Sequence, residues 1–147
     1  MKKVLLLIFC SLLLCGCAGK QKNVSLSAMS NDVVSLSAGL VQVPLSEIPS
    51  YFALSEADFE GCIVFVSLSG ERADEIAVFK AYDEQGLENI VAAVNARLRE
   101  LRSSFRDYVP SEFAKLEKTV IRTNGLYCYY SVSDDDDVKR LISRYFS

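Results

Sequence analysis

The stretch GLENIVAAVNARLRELRSSFRD, residues 86–107, decides how the rest of the chain is read. Its apolar residues Leu87, Ile90, Val91, Val94, Leu98, Leu101 and Phe105 are spaced so that all fall on one stripe of an α-helix. Glu88, Arg97, Arg99, Glu100, Arg102 and Arg106 occupy the other faces. Burying the stripe contributes on the order of 10–20 kcal/mol as an upper bound. Ordering the backbone costs about 1–2 kcal/mol per residue. The helix therefore cannot stand alone and needs an apolar surface to lie on.

That surface is predicted on either side of it. Upstream, Gly61–Leu68 is β-branched and aromatic, Ser69-Gly70-Glu71-Arg72 turns the chain, and Glu75–Ala81 returns as a second strand. Tyr82-Asp83-Glu84-Gln85 opens the long helix, with acids where the helix dipole favours them. Downstream, Pro110 ends the helix and residues 111–116 permit one or two further turns. Thr119–Thr123 and Leu126–Val132 flank Asn124-Gly125, the preferred two-residue type I′ hairpin turn. This predicts Thr123 opposite Leu126, Arg122 opposite Tyr127 and Ile121 opposite Cys128. Asp134–Asp137 then leads a final helix with an inner stripe of Val138, Leu141, Ile142, Tyr145 and Phe146.

Ahead of all this, Leu26, Met29, Val33, Leu36 and Leu40 make a helix stripe within the Ser-rich segment 24–40, and Pro44 and Pro49 bracket an irregular or one-turn piece. The expected class is α+β. An antiparallel four-stranded sheet made of two hairpins carries the long central helix and the C-terminal helix, with an N-terminal helix besides. In that arrangement Cys62, Val64, Val66, Ile121, Cys128 and Tyr130 face the long and C-terminal helices. Ile63, Phe65, Tyr127 and Tyr129 face away, either as an open binding patch or under the N-terminal helix.

The first residues read as an address. Met1-Lys2-Lys3 is basic and Val4–Leu14 is an apolar run, too short for a bilayer and suited to a signal peptide. It ends in Leu14-Cys15-Gly16-Cys17, which looks like a bacterial lipobox. Such processing attaches a diacylglycerol to the Cys17 thiol and cuts between Gly16 and Cys17; two acyl chains anchor stably where one does not. The expected organisation is a signal peptide over 1–16, a lipidated cysteine and short tether over 17–23, and one domain over 24–147.

Composition narrows the function. The chain has 147 residues and a formal charge of −3, and loss of Lys2 and Lys3 with the signal peptide leaves −5. This acidity disfavours nucleic acid as a partner. Histidine is absent, which removes the usual neutral-pH proton shuttle and the commonest metal ligand. A carboxylate-only site and a Ser–Lys site stay open.

Several blocks carry a resemblance: Ala73–Ala81, then Phe105-Arg106-Asp107-Tyr108-Val109-Pro110, then Lys115-Leu116 and Gly125-Leu126-Tyr127. In order and spacing they resemble a family of small lipoproteins of Gram-positive bacteria, filed as domain of unknown function 4358, over roughly the last hundred residues. Members often carry a glutamine four residues before the helix phenylalanine, where this chain has Leu101, so no role for that amide carries over. The resemblance implies an extracytoplasmic lipoprotein of unassigned activity and supplies no catalytic residues.

The candidate sites are few. Asp74, Glu75 and Tyr108 lie in the family-like blocks and suggest a polar site at the mouth between the second strand and the long helix. Turn, solvated-strand and helix-stop roles explain the same residue types. Phe65, Tyr127 and Tyr129 would line a patch if the second sheet face is open. The run Asp134–Asp137 lacks the loop glycine and spaced ligands of a calcium loop, so no metal and no cofactor are expected. Cys62 and Cys128 are either two buried thiols or a disulfide.

The function expected is therefore a ligand-binding or protein-interaction domain without catalysis. It would be held on the extracytoplasmic face of the cell membrane through lipid on Cys17. Its partners would be the membrane and an envelope protein or small ligand. A carboxylate-dependent envelope hydrolase and a purely structural lipoprotein are the alternatives.

Overall fold

The computed structural model describes residues 23–147, so the expected signal peptide, the Gly16–Cys17 cleavage site and nearly all of the tether lie outside the described residues. The elements are α1 (Leu26–Leu36), β1 (Leu40–Gln42), a 3₁₀ turn (Leu45–Glu47) running into α2 (Ile48–Phe52), β2 (Phe59–Ser67), β3 (Glu75–Ala81), α3 (Glu84–Phe105), α4 (Pro110–Glu117), β4 (Arg122–Asn124), β5 (Tyr127–Val132) and α5 (Asp136–Phe146). The long helix α3 starts where Asp83 accepts a hydrogen bond from the Gly86 N–H at 2.8 Å, satisfying one of the four free donors of its first turn. Ile90, Val94, Leu98 and Phe105 of its stripe are buried, and Leu87, Val91 and Leu101 pack at the rim.

Among the described residues the sheet has five antiparallel strands, not four, in the order β1-β2-β3-β5-β4. The extra strand is β1. α1 stops at Leu36, and Leu40, Val41 and Gln42 pair with Ser67, Val66 and Phe65. The three-and-four spacing that extends the helix stripe to Leu40 is coincidental, because Leu40 enters the sheet beyond Gly39.

The β4–β5 hairpin forms with a different register. Asn124 faces Tyr127, Thr123 faces Cys128 and Arg122 faces Tyr129, so Gly125-Leu126 is the two-residue loop. Only Gly125 has positive φ in this turn, at 55°, the pattern of a type II′ turn, which wants glycine at its first central position. The slip moves Arg122 from Tyr127 to Tyr129. Since side chains alternate with period two, every residue keeps its expected face.

Both faces of the sheet are covered. Val64, Ala77, Phe79, Cys128 and Tyr130 pack beneath α2, α3 and α4, with Ile90, Val94, Leu98 and Leu116 against them. On the other face Ile63, Phe65, Ile76, Val78 and Tyr127 meet Met29 and Val33 of α1 and Val138, Leu141 and Ile142 of α5. The C-terminal helix therefore lies on the face opposite α3, not beside it. α1 buries only Met29 and Val33, too little to cover five apolar side chains, and α5 completes the layer. Tyr145 of α5 donates to Asp32 of α1 at 2.8 Å, joining the two helices.

Cys62 and Cys128 are free thiols that both take Phe79 as their cross-strand partner, one on each side of it. Two strand spacings separate their backbones by roughly 9–10 Å, beyond the span of a disulfide.

Candidate functional site

Glu75 opens β3 and is only 2% exposed. Strand alternation turns it toward α3, on the same side as Ala77 and Phe79. Arg97 reaches down from the rim of the α3 stripe, its Nη2 2.8 Å from Glu75 Oε2 and its Nε 3.3 Å from both carboxylate oxygens. Tyr51 of α2 donates to Oε2 at 3.0 Å, and Tyr130 of β5 donates to Oε1. The Arg97 guanidinium also donates to the Tyr51 oxygen and lies 4.3 Å over its ring. Burial, then the Glu75 charge, raises both phenols above their ordinary value, so they stay neutral donors. Burial lowers and the Glu75 pair more than restores the Arg97 pKa. The sequence alternative of a solvated strand glutamate is thus wrong: Glu75 is buried at the centre of a network that Arg97 carries out to the exposed Glu100.

Asp74 belongs to a second cluster. It accepts from Arg72 Nε at 2.8 Å and from Lys115 Nζ of α4 at 2.9 Å. Lys115, with a side chain only 4% exposed, also meets Glu112 at 2.6 Å. Glu112 in turn accepts from the Ala73 N–H at 2.8 Å, tying α4 to the strand that carries Asp74. Burial raises the Asp74 carboxyl, but the bonds from Arg72 and Lys115 outweigh it and hold the pKa low. Burial lowers the Lys115 ammonium, but Glu112 and Asp74 outweigh it and hold the pKa high. Lys115 is thus engaged by two carboxylates, and its pairing ties α4 to the start of β3.

The structure brings Asp74 and Glu75 into two separate networks and leaves Tyr108 apart from both, 67% exposed between α3 and α4. Phe65 and Tyr127 are in the second core. The Tyr127 hydroxyl accepts from the Val24 N–H at 3.0 Å and donates to Asn23 at 3.1 Å. Tyr129 stacks on Phe146 with ring centroids 3.9 Å apart. The patch these aromatics would form in the open is closed by α1 and α5.

The acidic run before α5 has local partners. Asp135 caps the helix by accepting from the Asp137 N–H at 2.8 Å, Asp136 pairs with Lys139 at 3.2 Å, and Asp137 pairs with Arg140. Among the described residues no group of three or more carboxylates or thiols is placed to hold a metal ion.

One feature escaped the reading of the sequence. A cleft of about 320 Å³ lies between the end of β5, the 118–122 segment and α5, with Lys118, Arg122 and Lys139 on its walls. Lys139 is remote from the other two in sequence, and only the placement of α5 against the sheet brings it there.

The family described as a domain of unknown function (DUF4358) matches this chain over residues 32–133, from α1 through β5. Comparisons with curated proteins and with solved structures give no match.

Proposed function

We propose that this chain, which belongs to the DUF4358 family, is a membrane-anchored extracytoplasmic lipoprotein whose domain binds a ligand or partner protein without catalysis. The observation that carries the non-catalytic reading is the engagement of Glu75, Arg97, Asp74 and Lys115 with one another in buried networks. Acid–base work needs a group free to exchange a proton with a substrate; the polar atoms of these four are already taken up by one another and by neighbouring side chains.

The anchoring rests on the Lys2-Lys3 charge, the short apolar run and Gly16-Cys17. The fold supports a short link. Asn23 and Val24, at the end of the expected tether, are already tied to Tyr127. No described helix is long and apolar enough to cross a membrane.

Intact-mass analysis of protein extracted from washed membranes tests the anchor. The expected species begins at Cys17 and carries a diacylglyceryl group, and Cys17→Ala abolishes it. A soluble, unmodified chain with another N-terminus would refute the reading.

A further inference from the structure

The cleft beside β5 combines three features. The first is charge. Lys118, Arg122 and Lys139 line it against the single acid Asp134, in a chain whose overall charge is −3. Lys115, on the same wall, is neutralised by Asp74 and Glu112. Among the described residues Lys139 is held only by the exposed Asp136, a contact of little strength. Lys118 and Arg122 have no side-chain partner among the described residues.

The second feature is an open strand edge. β4 pairs Arg122 with Tyr129 and extends no further, while β5 continues to Val132. Antiparallel alternation turns the N–H and C=O of Tyr127, Tyr129 and Ser131 toward the β4 side. Among the described residues no strand meets them at Ser131, which lines the cleft. The third feature is an apolar wall from Ile142 and the Tyr129 ring.

We propose that this cleft binds the oxyanion group, carboxylate or phosphate, of a small ligand. Lys118 and Arg122 supply the charge and the Ser131 N–H a backbone donor. A guanidinium offers two parallel donors to such a group, and an ammonium adds a mobile point charge. Lys139 swings from Asp136 to join them. A volume of about 320 Å³ suits a small molecule. The proposal rests on the reading of the domain as a binding module and names the chemistry of what it binds.

Calorimetry on the mature lipoprotein in detergent micelles tests it, with succinate and inorganic phosphate as probes and glycerol as the neutral control. Saturable binding of at least one anion is expected, weakening with added salt. Lys118→Glu with Arg122→Glu weakens it at least tenfold, the milder Lys118→Gln with Arg122→Gln weakens it less, and Arg99→Glu on the exposed side of α3 leaves it unchanged. Near-ultraviolet circular dichroism confirms that each variant is folded. Micelles doped with phosphatidylglycerol separate the sources: competition assigns the phosphate to a lipid headgroup, and none assigns it to a soluble ligand. If neither anion binds, or the double variant binds as well as the parent, the site is refuted. The anchor, read by mass analysis, is untouched by that result.

Discussion

Arg97 and Glu75 meet at 2.8 Å between α3 and β3, with the glutamate side chain 3% exposed and the arginine 19%. The pair joins the long helix to the centre of the sheet, and two tyrosines complete its hydrogen bonding. Removing one member leaves the other without its principal counter-charge. Arg97→Met is expected to cost about 3–5 kcal/mol in urea unfolding. Arg97→Met with Glu75→Leu costs less than the two single changes together, by a coupling of about 0.5–3 kcal/mol. Tyr130→Phe, which deletes one hydroxyl from the carboxylate, costs about 1–3 kcal/mol. Strict additivity in the double-mutant cycle would show that the pair does not couple.

The Asp74–Lys115 cluster predicts how stability follows pH. The Asp74 pKa is lowered in the folded chain, so its contribution is complete above the unfolded value of about 4 and lost as pH falls through the folded value. The Lys115 pKa is raised, so its contribution is complete below the unfolded value of about 10.4 and lost as pH climbs through the folded value. The raised phenols of Tyr51 and Tyr130 add to the alkaline loss, because the unfolded chain ionises them first. A plateau between about pH 5 and 9 is expected. Asp74→Asn flattens the acid limb and Lys115→Met flattens the alkaline limb of the urea midpoint against pH. Parallel curves for parent and variants would contradict both assignments.

Burial pushes the thiols of Cys62 and Cys128 up to about 12. At about pH 8 the thiolate fraction is then on the order of one in ten thousand. Ellman's reagent is expected to react slowly with the native protein and at once in guanidinium chloride. The partly exposed Cys62 should react ahead of the buried Cys128. Intact mass without reductant should show both as free thiols, and a loss of two mass units would overturn the separation across Phe79.

Gly86 sits in the first turn of α3, where helix propensity alone favours alanine by about 1 kcal/mol. A Cβ there would lie 2.3 Å from the backbone oxygen of Asp58, which also accepts a bond from the Tyr82 N–H. Gly86→Ala is therefore expected to lower the unfolding midpoint, while alanine at Gly39, with nothing within 4 Å, leaves it near the parent value. A stabilised Gly86→Ala protein would mean that the 53–58 loop gives way easily.

Much of the fold was legible because local chemistry specifies it. The stripe from Leu87 to Phe105 makes α3, the β-branched run makes β2, and Glu75–Ala81 makes β3 with the bounds observed. β1 was not legible, since three residues carry no period and Leu40 fits a helix stripe as well as an edge strand. Neither was the role of Glu75: a glutamate leading a strand looks the same solvated or buried until Arg97, Tyr51 and Tyr130 arrive from three other elements.

The sequence alone determined that α3 and α5 are helices, that β2, β3 and β5 are strands, and which strand residues share a face, because period and turn chemistry act over a few neighbours. The tertiary structure alone decided that α5 lies with α1 rather than with α3, that Asp74 and Glu75 serve different networks, and that Lys139 joins Lys118 and Arg122 around one cleft. Those outcomes depend on which apolar faces remain uncovered once the strands have paired, and no window of a few residues contains that information.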